Sequence, residues 1–158
     1  MPSLQDAEKL YRTIKPRLEE TGLFADVVIE PARIRCDALS SAEPAFYSIS
    51  TEGNTLFVSL QTPARYLSQS IEADLVFTGD KLEELIHEEL VELGYDPKAP
   101  MWPVQHFRSE DKLYTFRSPL PVQTTDWGTA AHAQLAVMAL KAYEAAFRPL
   151  GDMEENDE

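Results

Sequence analysis

Three histidines are the residues of this sequence whose type best suits metal binding or proton transfer. His87, His106 and His132 fall on three different predicted elements, and none lies four residues from another. A histidine pair on one helical turn, as in zinc proteases, needs that spacing. The single cysteine, Cys36, provides too few thiols for a cysteine zinc site. The sequence therefore predicts no metal site and no cofactor.

Candidate nucleophiles and catalytic acids occur without the sequence context that activates them. Ser68, Ser70 and Cys36 have no Gly-x-Ser-x-Gly turn or cysteine-protease signature around them. The glutamates of residues 84–92 are typical of a solvated helix face, and catalytic carboxylates also need a pocket that shifts their pKa. Glycines occur singly, so no phosphate-binding loop is predicted. We expect a non-enzymatic protein, with an unrecognised hydrolase that uses the carboxylates as the catalytic alternative.

The elements that must position these residues follow from apolar periodicity and from turn-forming residues. The first half of the chain predicts a helix over residues 4–21 with a kink or break at Pro16, one interrupted strand over 24–36 around Pro31, and a hairpin over 45–61. One or two helical turns and a loop follow over residues 65–77, and then a helix from Asp80 to Leu93. The last elements are a hairpin over 101–118 and an alanine-rich helix from Trp127 to about Arg148, capped by Thr125-Asp126. The order α-β-β-β-α-β-β-α predicts an α+β fold in which helices pack on an antiparallel sheet.

Length and composition predict one folded domain over residues 1–150. The chain has 158 residues, of which 44% are hydrophobic and 26% charged, which is typical of a globular domain. Residues 151–158 contain five acidic side chains, so we expect an acidic, solvated and mobile tail.

The net charge disfavours two classes of partner. With 27 acidic and 14 basic residues, the chain carries a formal charge of −13, which repels phosphate backbones and anionic lipids. We therefore expect no nucleic acid and no membrane as partners. One cysteine, no signal segment and no long apolar run predict a cytoplasmic or stromal location.

Several short sequence segments resemble those of one known family. Residues 66–75 (YLSQSIEADL), the Gly79-Asp80 helix start, residues 113–119 (LYTFRSP) and the closing Trp127 helix are similar to the YbjN-like proteins of cyanobacteria, over most of residues 4–148. The resemblance implies the fold shared with type III secretion chaperones. Those chaperones are dimers that hold an extended client segment along their surface. The resemblance implies no catalytic residues.

Apolar side chains outside the clearest core stripes define a candidate partner-binding set, with burial in the core as the alternative for each. The set consists of Tyr66, Leu67, Ile71, Phe77, Trp102, Phe107 and Trp127. We expect a chaperone-like adaptor or assembly factor that binds a protein client or subunit. A homodimer is expected because the last helix presents more apolar surface than one sheet face can cover. A regulator or sensor with a small-molecule pocket near Tyr66, Trp102 and Phe107 is the alternative.

Overall fold

The computed structural model describes residues 4–122 and 129–153. The elements are α1 (Leu4–Thr21), β1 (Phe24–Glu30), β2 (Arg33–Ala38), β3 (Phe46–Glu52), β4 (Thr55–Thr62), α2 (Arg65–Thr78), α3 (Leu82–Glu92), β5 (Gln105–Arg108), β6 (Tyr114–Pro119), α4 (Ala130–Phe147) and a short 3-10 helix (Gly151–Met153). The fold is α+β, as predicted, with helices packed on one antiparallel sheet. No helix in the described ranges combines the length and apolar character needed to cross a bilayer.

The sheet contains six strands in the order β1-β2-β3-β4-β6-β5, and every neighbouring pair is antiparallel. The segment predicted as one interrupted strand is a hairpin, in which Glu30 pairs with Arg33 across a turn at Pro31 and Ala32. Proline has a fixed φ that suits a turn and lacks the N–H that a continuous strand would use. The proline therefore separates two strands instead of bending one.

One face of the sheet carries the core, because alternate residues of a strand point to the same side. The buried side chains on this face are Ile34, Cys36, Tyr47, Ile49, Val58, Leu60 and Phe116. Helix α1 packs against β1 and β2, α4 packs against β3 and β4, and α3 packs against α4. Helix α2 reaches the same side, since Ser68 contacts His106, the register partner of Phe116. All four described helices therefore lie on one face of the sheet.

The alanine-rich helix α4 is covered within this chain. Ala133, Ala136, Ala139, Ala142 and Ala146 are buried, and α4 contacts α1, α3 and the sheet. Small side chains allow helices to approach closely, which explains the composition. The apolar surface for which a partner or a second copy was expected is therefore packed against α1, α3 and the sheet of this chain. The predicted start at Trp127 and the Thr125-Asp126 cap lie outside the described residues, and within them the cap is Thr129, whose side chain accepts the N–H of His132.

Residues 65–77, predicted as one or two helical turns and a loop, form the continuous helix α2 (Arg65–Thr78). Leu67, Ile71 and Leu75 recur every four residues and face inward. The helical period was hidden because large apolar side chains also occur on the opposite side of this helix, at Tyr66 and Phe77. An apolar residue on both sides of a helix removes the contrast that sequence periodicity detects.

Two helix ends also differ from the predictions. Helix α3 begins at Leu82 with Lys81 as its N-cap and no side-chain cap hydrogen bond, so Asp80 does not cap it. The beginning of the predicted mobile tail is the 3-10 helix (Gly151–Met153), in which Met153 is buried. Its backbone is tied to α2, because the Gly151 N–H donates to Asp74 Oδ2. Helix α1, in contrast, continues through Pro16.

Candidate functional site

Three of the seven predicted partner-binding residues belong to the core. Leu67 and Ile71 are fully buried on the inner side of α2. Trp102 is buried against the ring of Tyr95, and its Nε1 donates a hydrogen bond to Tyr95 Oη at 3.2 Å. The prediction that these three side chains contact a partner is wrong, because residues of their own chain surround them.

The exposed members of the predicted set lie on two different surfaces. Tyr66 and Phe77 are exposed on α2, whereas Phe107 is exposed on β5 and points away from the helices. Tyr66, Trp102 and Phe107 therefore do not line a common small-molecule pocket. Trp127 lies outside the described residues.

A chain of hydrogen bonds connects α2 to the edge of the sheet. Glu72 Oε1 lies 2.9 Å from His106 Nδ1, and His106 Nε2 lies 3.2 Å from Ser68 Oγ. When Nδ1 donates to the carboxylate, Nε2 of the neutral ring accepts from the Ser68 hydroxyl. The imidazole also stacks on Phe116, with ring centroids 3.9 Å apart and planes 8° apart. We call Ser68, His106 and Glu72 the α2 clamp.

The α2 clamp has the order of groups by which hydrolases activate a serine. A nucleophile must also reach the substrate carbonyl, and Ser68 is only 2% exposed. No substrate atom can approach this hydroxyl while α2 is packed as described. We therefore interpret the clamp as structural. Its sequence signal was weak, since Ser68 and Glu72 are simply four residues apart, and only the sheet topology brings His106 to them.

Beside the clamp, a shallow groove of about 510 Å³ lies between the second half of α2, the start of α3 and the sheet edge. Its apolar lining consists of Leu75, Val76, Leu82, Val104 and Phe116, and its polar lining consists of Glu72, Glu83 and His106. We call this site the α2 groove. It combines an apolar lining with two carboxylates, which suits a ligand that has an apolar part next to a cation.

The outer side of α2 adds apolar surface next to the groove. Val76 on the groove wall is 83% exposed, and the adjacent Phe77 is 89% exposed. Tyr66 and Phe77 are eleven residues apart, which places them about 20° apart around the axis and about 16 Å apart along it. One exposed aromatic side chain therefore lies near each end of the helix, on the same side.

The remaining candidates for chemistry do not form a site. Across the described ranges, no three His, Cys, Asp or Glu side chains come close enough to hold a metal ion. Cys36 is buried on β2, where desolvation, with a smaller contribution from the charge of Asp37, raises the pKa of its thiol to about 12. A thiol with that pKa is neutral and unreactive at physiological pH.

Comparison of the chain with family models, curated proteins and solved structures found no match. The similarity to YbjN-like proteins therefore stays a prediction from the sequence.

Proposed function

We propose that this chain is a non-enzymatic adaptor or assembly factor of the cytoplasm that binds a protein segment in the α2 groove. The observation that carries the proposal is the near-complete exposure of Val76 and Phe77 at and beside the groove. Scattered apolar residues on a surface are ordinary, but large exposed apolar side chains at a concave apolar site and next to it in the helix favour an interaction surface. Each of these side chains gains about 1.5–3 kcal/mol when it is fully buried.

The carboxylates of the groove define the chemistry of the bound segment. Glu83 lies in the first turn of α3, and Glu72 uses one oxygen for His106, which leaves the second oxygen available. A basic group that binds there also meets a chain whose net charge is −13, and this charge speeds the encounter with a cationic partner. The expected segment has a large apolar residue next to lysine or arginine.

The sequence resemblance supports the same class of function. The fold relatives of the YbjN-like proteins hold extended client segments, and the α2 groove is open enough for such a segment to lie in it. Fold analogy alone supports a function only by association, so the test must address the groove itself.

The proposal is tested by selecting peptides from a random display library and measuring their binding to the purified chain by fluorescence anisotropy. Selected peptides should contain an apolar residue next to lysine or arginine. The variant Val76→Glu should weaken binding by about tenfold or more, since a central interface residue carries over 1 kcal/mol. The variant Glu83→Lys should weaken it too, whereas Glu92→Lys, the same charge change at an exposed site outside the groove lining, should not.

Two results would contradict the proposal. Peptides that bind Val76→Glu as tightly as the unaltered chain would show that the groove is not the site. A metabolite that raises the melting temperature, with no peptide selected, would assign the groove to a small molecule, since a ligand stabilises the state to which it binds.

A further inference from the structure

The face of the sheet opposite the helices carries an ordered array of side chains, which we call the open face. Three rows cross the strands: Glu30, Arg33, Ser50, Phe57 and Pro119; then Val28, Arg35, Ser48, Ser59, Arg117 and Gln105; then Asp37, Phe46, Gln61, Thr115 and Phe107. All the described helices lie on the other side of the sheet. No described helix covers the open face, although Ser48, Ser59, Thr115 and Phe57 at its centre are themselves buried, Phe57 beneath the guanidinium of Arg117.

Arginines and phenylalanines pack against one another across this face. The Arg117 guanidinium lies 3.9 Å from the ring centroid of Phe57 and 4.9 Å from that of Phe107. Arg33 lies 4.7 Å from the ring centroid of Phe46, on the far side of the central serines. Cations above aromatic rings form a flat, preordered surface that loses little side-chain entropy on binding. Such surfaces are typical of the centres of protein interfaces.

The charges on the open face balance, unlike those of the whole chain. Its ion pairs join three arginines to three acids: Arg33 to Glu30, Arg35 to Glu30 and Asp37, and Arg117 to Glu52, which follows Ser50 on the same side of β3. The paired charges sum to zero, and the exposed Asp26 at the β1 bulge adds at most one negative charge. The net charge of −13 is therefore carried almost entirely by the rest of the molecule.

This balance identifies the occupant. Two copies of a chain with a charge of −13 repel each other through most of their surfaces, and like charges brought together cost several kcal/mol. The open face allows the closest approach with the least repulsion, and it directs both acidic helical layers outward. Because its arginines and acids are interspersed, a two-fold axis through the face can set arginines of one copy against acids of the other.

We propose that the open face is the homodimer interface of this protein. The sheet has six strands about 4.8 Å apart with a mean length of about 21 Å, so the projected face is on the order of 600 Å². A standard stable interface buries about 800 Å² of accessible surface on each partner, and the relief of the side chains adds to the projected area. The face is therefore large enough for a stable dimer. This inference rests on residues outside the α2 groove, so it does not depend on the proposed function.

The test compares one substitution at two sites. Phe107→Glu changes the open face, and Phe77→Glu changes the exposed side of α2, so the two variants add the same charge on different surfaces. In sedimentation velocity, the unaltered chain and Phe77→Glu should be dimers. The dissociation constant of the Phe107→Glu dimer should be about tenfold higher or more. Ser50→Glu, at a half-buried site in the first row, should have the same effect. Circular dichroism and unfolding curves must show that each variant is folded.

Salt provides the second measurement. Raising the ionic strength screens the repulsion between two copies, so the dimer should persist or become tighter in high salt. An unaltered chain that sediments as a monomer at every concentration overturns the proposal, as does a dimer that both open-face variants preserve. Binding of single-stranded RNA to a monomer, lost in Phe107→Glu, would instead assign the face to a nucleic acid. A monomer that still binds peptides in its groove would overturn the dimer alone.

Discussion

Removal of His106 should destabilise the protein more than a surface histidine would, because its ring satisfies a buried hydroxyl. His106→Ala removes the hydrogen bond to Ser68, the contact with Glu72 and the stacking on Phe116. The stacking contributes about 0.5–1.5 kcal/mol. The partly exposed hydrogen bond to Glu72 contributes about 0–1 kcal/mol. Ser68 then keeps a buried hydroxyl without its partner, which costs about 1–3 kcal/mol. The expected loss is about 2–4 kcal/mol of the free energy of unfolding.

A double-mutant cycle separates the buried hydroxyl from the other contributions. Ser68→Ala alone should cost about 0.5–1.5 kcal/mol, because water can replace the hydroxyl at the half-exposed imidazole. In the His106→Ala background, the same substitution removes an unsatisfied group and should be neutral or stabilising. The stability lost in the double variant should therefore be about 1–2 kcal/mol smaller than the sum of the losses in the two single variants.

The measurement is urea unfolding followed by tryptophan fluorescence and by circular dichroism, with His87→Ala as the control. His87 is half-buried and makes a hydrogen bond to the Pro97 carbonyl, but its removal leaves no buried hydroxyl without a partner, so its loss should cost about 1 kcal/mol. Strictly additive losses for Ser68 and His106 would refute the clamp as an energetic unit. An equal loss for His87→Ala and His106→Ala would refute the role of the buried Ser68 hydroxyl.

Two further predictions concern a buried thiol and a crowded turn. Cys36 should react with Ellman's reagent at pH 8 at least about a hundredfold more slowly in the folded chain than in urea, because its pKa of about 12 keeps it protonated. Since this pKa is raised, the thiol's contribution to stability is complete below about pH 8.5 and is lost as the pH rises towards 12, so unfolding free energy measured across this range should fall. Gly151→Ala should cost about 1–3 kcal/mol in urea unfolding, since its φ is +51° and an added Cβ would overlap atoms of Ser70 and Ile71 in α2. Gly53→Ala, with a φ of +61° and open space around it, is the control and should cost about 1 kcal/mol; equal losses at both glycines would show that contact with α2 is unimportant.

Much of the fold follows from local sequence, because the relevant signals act within a few residues. The hairpin of β3 and β4 is set by Gly53, whose positive φ a β-branched residue would resist. The second hairpin is also local: the Ser109 N–H donates to the Leu113 carbonyl and closes the turn between β5 and β6. Helix α3 follows from one apolar stripe, of which Leu82, Ile86 and Leu90 are buried.

The candidate sites could not be predicted in the same way, because they depend on which surfaces the fold leaves uncovered. Phe57 and Phe107 alternate with core residues in their strands, and alternation alone does not tell which face the helices cover. Leu67 and Tyr66 are adjacent apolar residues, but Leu67 is buried and Tyr66 is exposed. Only the packing of α2 on the sheet determines which of the two is buried. The same packing assigns His106 to the clamp and Phe107 to the open face.

The two proposed surfaces lie on opposite sides of the molecule, and this has a consequence for binding. In a dimer formed through the open faces, both α2 grooves point outward and remain accessible at the same time. One dimer then presents two separate sites for basic, apolar segments. A partner that carries two such segments on a linker long enough to reach both sites gains avidity of about 10²–10⁴ over one segment. Phe107→Glu should therefore remove this gain while it leaves the affinity for a single segment unchanged.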